Sequence, residues 1–307
     1  MKVLVVGSKG FLGSWVKKML LAKSNLEILE ISGKESLDIT KIEDLQNYVS
    51  KHKPEAIINC AAFVGGISYG YKYPARLLYE NSKMALNLYE ISSKNDVGIL
   101  INPISNCAYP GHLTTYVESQ FFDGPPHESV YNYGIAKRLS VNLGSGYFEQ
   151  YKFSSANVVL SNMYGPEDHF DIERSHALGA LVKKICDAKI NNIQKVEIWG
   201  SGKPIREWLY VQDGANALIK SLDLDKGHHF FNVGVQKGIS IIDLANTIKK
   251  IANWDGEFFF NSDKPDGVYE KKVDGSKGET KLNWIPDIDL EYGIEKTVEW
   301  YMVNNGK

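Results

Sequence analysis

The strongest constraint on this chain lies at its start. The apolar, β-branched run Val3-Leu4-Val5-Val6 ends at Gly7, and an amphipathic pattern begins just after Gly13. Such a run, stopped by glycine, reads as a fully buried strand. Trp15, Val16, Met19 and Leu20 then recur at helical spacing, with Ser24-Asn25 as a stop. A strand that passes through Gly7, Gly10 and Gly13 into a helix is the opening unit of a dinucleotide-type sheet. Its glycines serve a tight turn, a close approach of backbone to pyrophosphate, and close packing of helix on strand. The helix N-terminus adds free N–H groups and a positive partial charge suited to phosphates. The spacing is GxxGxxG, a loose match to the generic GxGxxG, so the strand-before, helix-after context carries the reading.

The unit repeats along the chain. A strand near residues 26–31, a helix starting at Thr40 and a strand over 56–60 come first. They are followed by a long helix over about Pro74–Lys94, a strand over 97–101, a helix over about Tyr131–Tyr151 and a strand near 156–160. Alternation of this kind implies right-handed βαβ crossovers and a parallel sheet. Beyond Tyr164-Gly165-Pro166 the alternation lapses. A helix over 178–188, shorter pieces, a buried strand over 229–233, an amphipathic helix over 239–252, a strand over 257–260 and a closing helix over 290–303 are expected there. The fold class is therefore α/β: a Rossmann-type doubly wound parallel sheet with a smaller α+β C-terminal substrate lobe. Residues 1–160 form the dinucleotide-binding domain, with returning segments near 207–235, and residues 161–206 and 236–307 form the lobe. Open α/β sheets bind ligands at the carboxyl ends of their strands.

Composition narrows the partners. With 307 residues, 43% of them hydrophobic, the chain can bury a core without staples. Thirty-five Lys+Arg against 37 Asp+Glu give a net charge of -2, so no strong field draws it to nucleic acid or an anionic membrane. Cys60, Cys107 and Cys186 are too few for a disulfide framework, and no Cys-x-x-Cys pair or His/Cys cluster suggests a metal. The first apolar run is too short for a signal-peptide core and no stretch approaches a membrane span, so a cytoplasmic protein is expected.

The second strand ends in Glu30-Ile31-Ser32-Gly33-Lys34. An acidic residue at this point is the usual mark of NAD, but Ser32 and Lys34, with Lys9 from the glycine loop, are suited to a 2′-phosphate. NADPH is the expected cofactor. Asp38 suits either a bond to the adenine amine or a helix-capping or turn role. Tyr133-Gly-Ile-Ala-Lys137 places a phenol and an ammonium at i and i+4 on one helix face. The cation favours the phenolate, so the tyrosine's pKa is expected to fall toward a value useful for proton exchange with a carbonyl. Ser105, after the strand over 97–101, sits where it can donate to the same oxygen. A glycine loop, a serine and YxxxK, in this order, point to hydride transfer at a ketone.

The constellation resembles the extended short-chain dehydrogenase/reductase superfamily, and within it the GDP-L-fucose synthases. The matching motifs run in order over nearly the whole chain. They are Ala61-Ala62-Phe63-Val64-Gly65-Gly66-Ile67, Ser105-Asn106-Cys107-Ala108-Tyr109-Pro110, Tyr133-Gly-Ile-Ala-Lys137, Asn162-Met-Tyr164-Gly165-Pro166, Ser175-His176, Trp199-Gly-Ser-Gly-Lys-Pro-Ile-Arg206-Glu207 and Lys264-Pro-Asp-Gly267. The resemblance implies a reductive triad of Ser105, Tyr133 and Lys137, with Cys107 and His176 as an epimerisation pair. A C4 ketone acidifies the protons at C3 and C5, and a thiolate and an imidazolium suit their removal and return near neutral pH. The cofactor side is Gly7, Lys9, Gly10, Phe11, Leu12, Gly13, Ser32, Lys34, Asp38, Ala61 and Ala62, with Tyr133 and Lys137. The side facing a GDP-sugar is Asn162, Trp199 and Arg206, with Lys184 and Lys271 as further cations. Trp199 is expected to pack under the Gly200-Ser201-Gly202 turn, and Cys60 and Cys186 to be core. A homodimer through the two long helices is also implied.

Phe63 stands where the family commonly has Lys, Asn106 where it has Ser, and residues 112–130 look unlike the family's. These departures keep two alternatives open: a related reductase or epimerase acting on another 4-ketosugar, such as a 4-keto-6-deoxyheptose, or a non-catalytic NADP(H)-binding sensor.

Overall fold

The first strand decides the layering. In β1 (Lys2–Val6) the pleat sends Val3 and Val5 to one face and Leu4 and Val6 to the other, and all four are buried, so both faces must be covered. The computed structural model describes residues 1–65, 67–171, 175–263, 266 and 268–305. After β1 come α1 (Phe11–Leu21), β2 (Glu27–Ile31), α2 (Ile42–His52), β3 (Ala56–Asn59), α3 (Ile67–Lys72) and α4 (Pro74–Lys94). Next are β4 (Ile99–Ser105), β5 (Thr115–Tyr116), α5 (Tyr131–Tyr151), β6 (Ser154–Leu160), β7 (Asn162–Tyr164) and α6 (Ala177–Ile190). The chain continues through β8 (Lys195–Trp199), β9 (Ile205–Tyr210), α7 (Val211–Lys220), β10 (His228–Val233), β11 (Gly238–Ser240) and α8 (Ile241–Ile251). It ends with β12 (Glu257–Asn261), β13 (Glu270–Val273), α9 (Ser276–Leu282) and α10 (Leu290–Asn305).

Six strands form one parallel sheet in the order β2-β1-β3-β4-β6-β10. On one face, Val3, Val5, Ile58 and Val158 pack with Leu12 and Val16 of α1 and Leu218 of α7. On the other, Leu4, Val6, Ile57 and Leu100 pack with Leu45 of α2 and Met84 and Leu88 of α4. The sheet is therefore doubly wound, and its strand order reverses between β1 and β3, where an open α/β sheet leaves a crevice at its carboxyl edge. Among the described residues, no helix is long and apolar enough to cross a membrane.

A second core gathers Leu178, Val182 and Ile185 of α6, Trp208 and Tyr210 of β9, Leu244 and Ile248 of α8, and Ile294 and Val298 of α10. Its strands form two small sheets, β11-β9-β13-β5 with β7 on β9, and the pair β12-β8.

Two element boundaries differ from the sequence reading for visible reasons. The strand expected to stop at Ile101 runs on to Ser105 through Pro103. β3 pairs with β4 only as far as Ile101, and beyond it β4 pairs with β6 alone, so a residue lacking an N–H is tolerated. The helix expected from Ile239 starts at Ile241: Ser240 Oγ accepts from Asp243 N at 3.1 Å as its N-cap, and Ile239 is paired in β11 with Arg206.

The two cores meet at one fully buried carboxylate. Glu207, in β9, accepts from Val273 N at 2.7 Å in β13 and from the N–H groups of Val235 and Gln236, which follow β10 of the large sheet. Burial raises its pKa, and these N–H donors oppose the rise. Glu207→Ala leaves three donors without their acceptor and should cost roughly 3 kcal/mol or more in denaturant unfolding, with Glu207→Gln losing about half as much. A loss below about 1 kcal/mol for the alanine variant would show that the junction does not rest on this group.

Candidate active site

Gly7 takes a left-handed backbone (φ +78°), and a Cβ there would come within 2.7 Å of Ala61 N. The residues after β1 and β3 therefore touch, at the point where the strand order reverses. A Cβ on Gly13 would collide with the Gly7 carbonyl, so helix and loop pack backbone to backbone. Gly10 is the N-cap of α1, with no side-chain cap and no acidic residue in the first turn. The first N–H groups and the positive end of the helix are thus left for an anion. Beside them opens a cleft of about 320 Å³ lined by Gly7, Gly10, Ser32, Lys34, Asp38, Ala61 and Ala62 among others. A bent backbone that a side chain would fill, next to an uncapped helix, fits the pyrophosphate of a dinucleotide.

The remaining residues of the cofactor side divide by environment. Lys9 is exposed. Leu12 is buried in the core, so only its backbone can face a ligand, while Phe11 is half-buried and packs against that core. Asp38 Oδ1 accepts from Thr40 N at 3.0 Å and Thr40 Oγ1 at 2.7 Å, a turn ahead of α2 whose N-cap is Lys41, while the residue still lines the cleft. Glu30 is drawn away: Lys17 Nζ and Ser8 Oγ reach its carboxylate at 2.9 and 2.8 Å, and in that order they hold its pKa low. Cys60, expected as core, also lines the cleft, and burial pushes its thiol up to about 12. Asn81, which sequence reasoning passed over, fixes the cleft wall: it accepts from Phe63 N at 3.0 Å and donates to Phe63 O at 2.8 Å.

At the end of β4, Ser105 Oγ accepts from Cys107 N at 3.2 Å and caps the turn Asn106–Ala108. That turn faces α5 at close range, because a Cβ on Gly134 would lie 3.1 Å from the Cys107 carbonyl. Tyr133 and Lys137 are on this helix, with Lys137 Nζ 5.7 Å from the centre of the Tyr133 ring and donating to Pro103 O at 3.1 Å. The expected fall in the tyrosine's pKa does not occur. Burial, and then Cys107, push the Tyr133 phenol well above its ordinary range, while burial lowers Lys137 to about 8. Lys137 is itself desolvated, so it cannot offset the burial of its neighbour. The phenol keeps its proton at neutral pH. Arg138, also unforeseen, is buried and donates through Nε to Ala108 O at 2.7 Å, tying the turn to α5. A basic residue directly after YxxxK was the visible signal, but its direction was not.

The smaller lobe brings cations to the opposite side. Arg206 of β9 and Lys271 of β13 are register partners. Burial lowers the pKa of Lys271, Cys107 opposes that shift, and Arg206 adds to it, so the three share one electrostatic neighbourhood with Tyr133. Asn162 is half-buried with its amide committed: it donates to Glu207 O at 3.1 Å and accepts from Asn106 Nδ2 at 3.3 Å, holding the Cys107 turn to β9. Lys184 donates to Glu197 O at 3.0 Å and stands 5.1 Å over the Trp199 ring. Trp199 is not under the turn at Gly200 and Gly202 but 54% exposed, because burial alternates along β8 and it falls on the outer side with Lys195; Asp266 closes the turn by accepting from Ser201 N and Oγ. Cys186 is core.

His176 immediately precedes α6 and is exposed at its surface, although the chain crowds around it. That crowding first, and His169 second, hold its imidazole below the usual range. No described hydrogen bond joins it to Cys107. Gly66, Lys264, Pro265 and Gly267 of the quoted motifs lie outside the described residues. Among the described residues, no group of three or more His, Cys, Asp or Glu could hold a metal.

Comparison with known proteins gives the family to which the chain belongs. The chain is 33% identical over 304 residues to a GDP-L-fucose synthase of Sinorhizobium fredii, covering 99% of this chain and 96% of that one. A Naegleria fowleri GDP-L-fucose synthetase bound to NADP superposes with a TM-score of 0.89 at 27% identity, over 99% of this chain and 94% of that one. A GDP-6-OMe-4-keto-L-xylo-heptose reductase from C. jejuni gives 0.90 at 26% identity, over 99% and 98%. With residues 3–234 matching its family model as well, the chain belongs to the NAD dependent epimerase/dehydratase family, in its extended short-chain dehydrogenase/reductase form.

Proposed function

We propose that this protein epimerises a GDP-4-keto-6-deoxy sugar at C3 and C5 and reduces it at C4 with NADPH, supplying an activated deoxysugar for surface polysaccharide. The observation that carries the reading is the convergence of Ser105, Cys107 and Tyr133 with Arg206 and Lys271 beside the glycine-loop cleft. A hydride donor, a proton donor, an acid–base thiol and cations for a diphosphate serve this chemistry together. A nucleotide sensor needs only the first.

Bound NADPH supplies the hydride for C4. Gly7, the N-terminus of α1, Ala61 and Ala62 hold its pyrophosphate side, with Lys9, Ser32 and Lys34 at the 2′-phosphate. Ser105 and Tyr133 donate to the C4 oxygen, which stabilises the enolate that forms when a proton leaves C3 or C5. The raised pKa of Tyr133 suits this role, since the phenol stays protonated until a strongly basic oxygen develops beside it. Cys107 and His176 exchange the carbon-bound protons on opposite faces of the sugar. The lowered pKa of His176 keeps its ring neutral and able to accept. Arg206, with Lys271 and Lys184, binds the diphosphate, as guanidinium forks suit phosphate oxygens. The exposed Trp199 offers a flat face beside Lys184. A cytoplasmic homodimer through α4 and α5 belongs to the same reading.

A second reading, reduction without epimerisation, is favoured by Phe63, Asn106 and the divergent residues 112–130, and by the similarity to a 4-ketoheptose reductase. The two are separated by incubating the protein with NADPH and GDP-4-keto-6-deoxymannose in deuterated water and examining the product by NMR. Deuterium at C3 and C5 with NADPH consumption is expected. Consumption without label leaves a pure reductase and overturns the epimerisation; absence of both label and consumption overturns the proposal as a whole.

Cys107→Ser should lower deuterium exchange by about 100-fold or more while NADPH affinity stays within about twofold; equal exchange in the variant removes Cys107 from the acid–base role. Lys137 carries a pH signature. Its folded pKa of about 8 lies below the ordinary 10.5, so its buried charge opposes folding below pH 8 and the opposition fades as pH rises toward 10.5. Lys137→Met should therefore be inactive yet more stable than the parent by roughly 1–3 kcal/mol at pH 7, with the advantage shrinking by pH 9.5 in urea titrations.

A further inference from the structure

Lys34 does not stand free at the mouth of the cleft. Its Nζ lies 3.0 Å from Glu80 Oε2 and 3.9 Å from Asp38 Oδ2. The other oxygen of Glu80 lies 3.8 Å from Arg76 Nη2. Glu80 is the fixed member of this group, its side chain 15% exposed against 57% for Lys34 and 58% for Arg76. It sits on α4 directly before Asn81, whose amide is bonded to Phe63 on both sides, and it lines the same cleft as Gly7, Ser32 and Lys34. Three neighbouring charges already have partners. Arg76 rests 4.7 Å over the Phe63 ring, Asp38 Oδ1 accepts from Thr40 N and Oγ1, and Glu30 is held by Lys17 and Ser8.

A phosphate on the ribose can therefore gain Lys34 only by taking it from Glu80, and it must then sit near that carboxylate. Both effects oppose a 2′-phosphorylated dinucleotide, and neither acts on one with a free 2′-hydroxyl. We propose that Glu80 sets the selectivity of this cleft between 2′-phosphorylated and unphosphorylated dinucleotides, by competing with the phosphate for Lys34. The proposal rests on the reading of Lys34 as a phosphate cation.

NADPH and NADH are titrated separately into the protein without sugar substrate, following energy transfer from tryptophan to the nicotinamide. Glu80→Gln should tighten NADPH about tenfold and change NADH less than about twofold. Glu80→Asp, which withdraws the carboxylate by one methylene, should give about threefold in the same direction, and it serves if the glutamine variant folds poorly. With Lys34→Gln in place, Glu80→Gln should gain no more than about threefold, because competition is gone and only repulsion remains. A ratio of the two dissociation constants within about twofold of the parent in both Glu80 variants overturns the proposal, as does the full gain without Lys34. Failure of the parent protein to bind NADPH saturably overturns the cofactor reading, and this proposal with it.

Discussion

One buried carboxylate decides whether the two parts of this molecule face each other correctly. Glu207 gathers N–H groups from the end of β13 and from the loop after β10, so β9, the large sheet and the last small strand are fixed at one point. Through Asn162, which donates to the Glu207 carbonyl, and Asn106, which donates to Asn162, the same point reaches the turn that carries Cys107. Arg206 is its sequence neighbour and Lys271 the register partner of Arg206. The cations of the smaller lobe and the thiol of the larger part thus share a single anchor. A buried charge is tolerable there because backbone N–H groups satisfy it.

The chain's near-zero net charge takes on meaning at this scale. No basic surface draws in an anion. Instead a few cations are held back by local partners: Lys34 by Glu80, Lys184 by Glu197, and Arg206 and Lys271 by burial beside one another. In the proposed reading each contributes to binding only when a ligand replaces its partner or compensates its desolvation. The same principle explains the proton donor. Lys137 was expected to lower the pKa of Tyr133, but in a dry setting both are driven toward their neutral forms.

Much of this was legible along the chain where the cause is local. The Gly7–Gly13 loop is set by backbone sterics, and its strand-loop-helix context was enough to place it. The two long helices, Pro74–Lys94 and Tyr131–Tyr151, follow from apolar periodicity, and the structure has them at those bounds. The passage of β4 through Pro103 was not legible, because whether a missing N–H matters depends on where β3 stops. The closure of the turn after Trp199 was not legible for a similar reason: its partner, Asp266, lies in a distant part of the chain. Arg138 and Asn81 were missed because one side chain among many gives no sign of what it will hold.

By itself, then, the sequence determined the dinucleotide-type sheet, the glycine cradle and the order of Ser105, Tyr133 and Lys137 along it as candidates, since residue type and short-range spacing specify backbone conformation and which reactive groups are present. Tertiary structure alone decided which charges are free, which way the acid equilibrium of Tyr133 leans and which acid confronts Lys34. Those properties depend on desolvation and on partners brought from far along the chain, and burial is a property of the packed molecule, not of any segment of it.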